Sequence, residues 1–180
     1  AWAGPVVAAA VILPHDHPDL AASLAGVRDS KKMSPSRREQ LYPAIADVAI
    51  SVGIGAAGRD EVDELNVLEA TRLAMMRALA DLHLAPDHLL LDHIALPAAE
   101  VSQSSIPKGD ALVLSIAAAS VIAKVYRDRL MMSMHDLYPG YGFNRHKGYP
   151  TAHHLERLKT LGPCPIHRRS FAPVRRAMGA

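Results

Sequence analysis

The sequence predicts an α/β fold, and three observations carry the prediction. Apolar runs of strand length alternate with segments of helical period, the order expected of a sheet covered by helices. Of the 180 residues 49% are hydrophobic and only 4% aromatic, so the core is expected to be built from Ala, Leu and Val layers with close backbone approach. No internal repeat, low-complexity tract or linker interrupts the pattern, which suits one globular unit. Residues 1–138 are read as its main domain and residues 139–180 as a basic helical region of the same unit.

The elements follow in order. "PVVAAAVIL" (5–13) is a continuous apolar run that reads as a buried strand, although its alanines also allow a helix. After a polar loop, Ser34 as N-cap and Pro35 at the first helical position open a helix ending near Ala49, with Leu41, Tyr42 and Ile45 on its apolar side. Ile50, Val52 and Ile54 alternate with small residues and predict a second strand beside a Gly-rich turn. From Asp60 a long helix is expected: acids at 60, 61, 63 and 64 suit its positive end, and Val62, Leu65, Leu68, Leu73, Met76 and Leu79 keep helical period. "DHLLLD" is a short buried strand closed by Asp92, and "VSQSSIPKGD" holds another before a turn at Gly109. Ser115 is expected to cap the Ala-rich helix that Pro139 and Gly140 end. Then come a Gly/Tyr-rich loop, a helix over about 151–161, the loop "GPCPIHRRSF" and a short terminal helix.

Several chemistries are excluded or weak. One cysteine, Cys164, rules out an internal disulfide and a Cys-cluster zinc site, and fits a reducing cytoplasm. No apolar stretch reaches the roughly 18 residues of a membrane span, so a soluble, cytoplasmic protein is expected. The chain begins at Ala1 inside an apolar run and reads as a fragment. The spacings of His15/His17 and His153/His154 match no zinc motif. "GIGAAG" (53–58) resembles a dinucleotide fingerprint, but Asp60 and Glu61 would repel a pyrophosphate. No GxSxG anchors a serine nucleophile.

Charge and carboxylates remain. From Pro139 onward eight Lys/Arg face one acid, Glu156, a net +7 that leaves −5 on residues 1–138 given +2 overall. This tail is either a contact for a polyanion or a solvated basic face. Asp92 ends a hydrophobic strand, where ligands gather in open α/β sheets, or else caps a turn. Asp128 lies four residues after Lys124 and shares a helix face with Ser120 and Ala117. That spacing allows an ordinary ion pair; on a tightly packed face the carboxylate would need a partner, and a hard divalent cation such as Mg²⁺ or Mn²⁺ is one.

Six blocks occur together and in one order: "AGPVVAAAVIL", "DSKKMSPSRREQLYPAI", "EVDELNVLEATRLAMMRAL", "KGDALVLSIAAASVIAKVYRDRLM", "YGFNRHKGYPTAHHLERL" and "HRRSFAPVRRA". Across nearly the whole chain they resemble the ribonuclease HII family. The resemblance implies a ribonuclease H-like three-layer α/β/α fold with a mixed sheet and a C-terminal helical region. It also implies a monomeric endonuclease acting on RNA–DNA hybrids and on single ribonucleotides embedded in duplex DNA, as in ribonucleotide excision repair. Such an enzyme cuts 5′ to the ribonucleotide, leaves 3′-hydroxyl and 5′-phosphate ends, and uses Mg²⁺ or Mn²⁺.

Residue by residue, Asp128 matches the family's last metal-binding aspartate, with Ser120 and Lys124 in the same block. Asp92 matches the aspartate ending a central strand, although "HIALP" after it departs from the commoner Asp-Gly-Asn. Tyr149 matches the tyrosine that stacks on the deoxyribose beside the ribonucleotide, and Lys31, Lys147, Arg168 and Arg169 are expected phosphate contacts. The family places an Asp-Glu-x-Gly-Arg-Gly motif just before the segment that opens this chain, and none of its six residues is here. That motif supplies two further metal ligands and a first, central strand, so this chain alone is expected to be poorly stable or rearranged, and inactive. Two rivals stand: a catalytically silent nucleic-acid-binding remnant, and another metal-dependent phosphodiesterase of the same fold.

Overall fold

The structure is a computed structural model that describes residues 1–179. Its elements are β1 (Val6–Ile12), α1 (Leu20–Ser23), α2 (Pro35–Val48), β2 (Ser51–Ala57), α3 (Arg59–Ala80), β3 (His88–Asp92), β4 (Ser102–Ile106), α4 (Gly109–Leu112), α5 (Leu114–Leu137), α6 (Phe143–His146), α7 (Ala152–Leu161) and α8 (Ala172–Ala177). Strands are interspersed with helices up to α5, and the described residues after it form helices and loops, with one isolated bridge between Ala3 and His167.

Two compact units divide the chain. One holds Ala1–Val6, Ala57–Thr71 and everything from Tyr126; the other holds Val7–Ala56 and Arg72–Val125. The basic C-terminal region thus shares its unit with the second half of α5 and two earlier segments.

In the Val7–Val125 unit, β1 pairs with β2 and β3 pairs with β4, the latter in parallel with Leu90 opposite Ser104; no strand joins the two pairs among the described residues. β1 is half-buried at every position although all its side chains are apolar. Ser34 caps α2 as expected, accepting from the Arg37 N–H, and Leu41 and Ile45 are buried. They pack with Leu24, Met33, Ala118, Val121, Ile122 and Val125, an aliphatic cluster formed where small residues let α5 come close. A second cluster sets Leu89, Leu91 and Leu96 against Met75, Met76 and Leu79.

Three local expectations are modified, each for a physical reason. β2 holds Gly53 as expected but runs on to Ala57, so Gly55 also lies in the strand and not in the turn beside it. A Cβ on either would sit 2.1 Å from an α3 carbonyl, Ala78 O or Ala74 O, so these glycines admit the helix backbone. Asn66 (φ 71°, ψ 171°) breaks α3 into two helical stretches, its Oδ1 capping the second by accepting from Leu68 N and Glu69 N. Period alone concealed this break because Leu65 and Leu68 stay in phase across it. Ser115 lies inside α5, which already begins at Leu114.

In the other unit, Ala3, Met131, Tyr141 and Phe143 form a buried cluster. α7 begins at a Thr151 cap whose hydroxyl accepts from the His154 N–H. None of the described helices is long and apolar enough to cross a membrane.

Candidate metal and nucleic-acid site

In the unit that contains β3, Asp92 is exposed at the strand's carboxyl end. His93 turns the chain at once through a left-handed conformation (φ 68°). The Asp92 Oδ1 accepts from the backbone N–H of Gly109 at 3.0 Å, which fixes the carboxylate against the start of α4. Gly109 packs closely there: a Cβ would lie 2.6 Å from Ile116 Cδ1, so that side chain would have to shift.

Lys31 and Ser120 belong to a second local arrangement. Asp29 Oδ1 accepts from the Lys31 N–H, and buried Arg38 donates through Nη1 to the carbonyls of Ser30 and Met33, so "DSKKM" is held rigidly. The hydroxyls of Ser30 and Ser120 are 2.6 Å apart and tie this loop to α5. The Lys31 ammonium, itself exposed, lies 3.5 Å from the largely buried Asp110 carboxylate. Lys124 follows Ser120 one turn along and is half-buried.

The remaining expected residues lie in the other unit. Asp128 is half-buried on α5 beside the buried Arg127. Arg127 donates from Nε to Pro5 O (3.0 Å), from Nη1 to Lys147 O (3.0 Å) and from Nη2 to Ala3 O (3.1 Å). Its guanidinium lies 5.0 Å from the ring centre of the exposed Tyr149. Burial lowers the pKa of Arg127, and Tyr149 and Asp128 act against that shift. A planar cation held by three carbonyls thus braces the tyrosine ring.

Lys147, half-buried in a left-handed conformation, donates from Nζ to Asn144 O and reaches Met132 Sδ at 3.2 Å. Arg168, expected as a phosphate contact, is buried. Its Nε donates to Gly4 O at 2.9 Å, its guanidinium faces the Phe171 ring, and burial, with repulsion from Arg127, pulls its pKa down to about 10. Arg169 is exposed, and its backbone is anchored by Asp63, a residue that sequence reasoning assigned only to a helix end. Asp63 Oδ2 accepts from Arg169 N (2.7 Å), and its Oδ1 accepts from Ser170 N (2.8 Å) and Ser170 Oγ (2.5 Å).

The metal test gives a partial fit. Asp92 and Asp128 are oxygen donors of the type hard divalent cations take. Yet no group of three or more His, Cys, Asp or Glu side chains that could hold a metal occurs among the described residues. Each of the two carboxylates is thus a donor of the right type within its own unit.

These features define a class: an α/β chain with a carboxylate at a strand end, another on a buried helix, and a basic segment presenting a braced aromatic ring. The chain belongs to the ribonuclease HII family, whose model matches residues 1–174. Ribonuclease HII of Bacillus licheniformis is 53% identical over 173 residues, 96% of this chain and 66% of that protein. Ribonuclease HII of Geobacter sulfurreducens is 50% identical over 177 residues, 98% of this chain and 79% of that protein. The chain thus spans roughly two thirds of the length of such relatives. Among solved structures, ribonuclease H2 from Pyrococcus horikoshii OT3 superposes with a TM-score of 0.78 at 26% identity, covering 99% of this chain and 92% of that one. Bst-RNase HIII in complex with Mn²⁺ shares the fold, with a TM-score of 0.67 at 18% identity over 99% of this chain and 65% of that one. The α/β fold expected from the sequence is therefore the one this chain has.

Proposed function

We propose that this chain, together with an Asp-Glu-x-Gly-Arg-Gly segment, acts as a metal-dependent endoribonuclease on the RNA strand of RNA–DNA hybrids and on single ribonucleotides in duplex DNA, cutting on their 5′ side. Family membership supports the reaction class. The observation that carries the substrate is the exposed Tyr149 ring, held at 5.0 Å by a buried arginine whose neighbour in sequence is Asp128. A braced aromatic face offers a sugar or base a stacking surface. Lys31, Lys147 and Arg169 position phosphates, while the buried Arg168 serves by holding the backbone that carries Arg169. Asp92, fixed by Gly109, and Asp128 each supply a carboxylate to divalent metal. When bound, Mg²⁺ or Mn²⁺ activates water and stabilises the leaving oxygen.

The test is cleavage of a labelled DNA duplex carrying one ribonucleotide, with Mg²⁺, with Mn²⁺ and with chelator. It compares this chain with a version preceded by an Asp-Glu-x-Gly-Arg-Gly segment. The expected result is metal-dependent cutting 5′ to the ribonucleotide by the extended version, reduced about 100-fold or more by Asp128→Asn or Asp92→Asn. If both versions fold and bind the duplex but neither cuts, the proposal fails and a nucleic-acid-binding module replaces it.

A further inference from the structure

Four groups in the C-terminal region form one line of hydrogen bonds that ends on Tyr149. Cys164 N lies 3.0 Å from His167 Nδ1, His167 Nε2 lies 3.1 Å from His154 Nε2, and His154 Nδ1 lies 3.0 Å from the Tyr149 carbonyl. The two ends determine the proton positions independently. A backbone N–H only donates, so His167 Nδ1 accepts and its proton sits on Nε2. A carbonyl only accepts, so His154 carries its proton on Nδ1 and accepts on Nε2. Both requirements agree, and the line has one direction: Cys164 to His167 to His154 to Tyr149. The Cys164 thiol, 3.1 Å from the same His167 Nδ1, is kept protonated by burial and adds a second donor there.

Both imidazoles are fully buried. The titratable groups around them are His146, stacked on His154 at 4.3 Å, then His153, Cys164, the Ala1 amino group and Tyr141, whose ring is 4.9 Å from His167. None is acidic at neutral pH, so no neighbouring charge favours a second proton, and the backbone hydrogen bonds to Tyr149 and Cys164 oppose the burial only in part. Burial, with this mutual repulsion, holds His154 and His167 down to about 4. His146 repeats the pattern: its Nδ1 accepts from Gly148 N and its Nε2 donates to Tyr141 O, which fixes the other flank of Tyr149.

We infer that His154, held in one tautomer by His167, is a positioning residue that sets the backbone of Tyr149 and so the attitude of its ring toward nucleic acid. The inference rests on the reading of Tyr149 as a substrate contact. Arg127 braces the ring from one side, and His154 fixes the peptide that carries it. The neutral pair is a geometric device with no part in proton transfer to substrate.

The chain contains its own reporter. Trp2 is its one tryptophan, and the indole lies 5.3 Å from the His154 ring. Binding of a labelled duplex with one ribonucleotide is compared across the unmodified chain, Tyr149→Ala, His154→Asn and His154→Leu, while circular dichroism and Trp2 emission register folding. Asparagine keeps a donor where Nδ1 sits; leucine keeps bulk alone. His154→Leu is expected to weaken binding about three- to tenfold, the worth of one hydrogen bond, and His154→Asn to restore most of it. Equal losses in the two variants, or none in either while Tyr149→Ala weakens binding, overturn the inference. If Tyr149→Ala binds as tightly as the unmodified chain, the substrate reading of Tyr149 falls and takes the inference with it. Should the variants not fold, nitrogen-15 shifts of the unmodified chain decide: a proton on Nδ1 of His154 and Nε2 of His167 is expected, and the reverse tautomers overturn it.

Discussion

The side chains around α2 and the first half of α5 pack with hydrocarbon, whereas those around α6 and α7 pack with rings that carry nitrogen and oxygen. Leu24, Leu41, Ile45, Val121, Ile122 and Val125 make up the first cluster. Tyr141, Phe143, His146, His154 and His167 make up the second, with centroids from 4.3 to 5.8 Å apart and several of their polar atoms hydrogen-bonded. Seven of the eight aromatic residues belong to the unit that contains the C-terminal region, all except Tyr42. The first packing is indifferent to direction and to pH; the second works only while its donors and acceptors stay matched. A chain can therefore tolerate repacking in one region and be intolerant of a single proton in the other.

The largest expected effect lies in the aliphatic region. Ile122→Ala removes fully buried methyl groups and is expected to cost about 2–5 kcal/mol at every pH, read from urea unfolding at pH 5 and pH 8. A cost that varied strongly with pH would erase the contrast.

Acid should act on the other region. The folded pKa values of His154 and His167 lie near 4, below the ordinary 6.5, so between these values the unfolded chain binds more protons. Stability is full above about pH 6.5 and falls as the pH drops toward 4. Trp2 emission followed alongside the unfolding midpoint should move in that window, and a midpoint constant from pH 7 to pH 4.5 would contradict the account.

Asp63 offers a sharper, smaller test. Asp63→Asn keeps the shape but puts an amide where donors converge, so a loss of about 1–2 kcal/mol is expected. Faster hydrogen exchange at the Arg169 and Ser170 amides should accompany it, and unchanged exchange would remove Asp63 as their anchor. The smallest effect belongs to Arg169→Ala, which should lower the salt slope of duplex binding by about 0.7–0.9, one phosphate's worth. An unchanged slope strikes Arg169 from the phosphate contacts.

Local chemistry was legible. The apolar run at 5–13, the Ser34-Pro35 start, the leucines before Asp92 and the Ala-rich face of α5 each state their structure within a few residues. What escaped depends on distant partners. Why positions 53 and 55 need glycine escaped, because the reason is the helix backbone over them, some twenty residues away in sequence. Asp63 read as a helix-end charge because its partners lie 106 and 107 residues later. The histidines were judged by spacing for zinc, whereas spacing carries no trace of a tautomer line between buried rings. The candidate site was legible chiefly through resemblance, since Asp92 and Asp128 as isolated aspartates have ordinary explanations too.

β1 has a consequence for handling the protein. Val6–Ile12 contains no charge, no proline and no glycine, is half-buried throughout, and has β2 as its one strand partner among the described residues. An uncharged, proline-free stretch of this kind is the sequence type that pairs between chains once it is bared. Partial unfolding that exposes Val6–Ile12 should therefore make a concentrated solution turbid, and conditions that keep the chain folded should leave it clear.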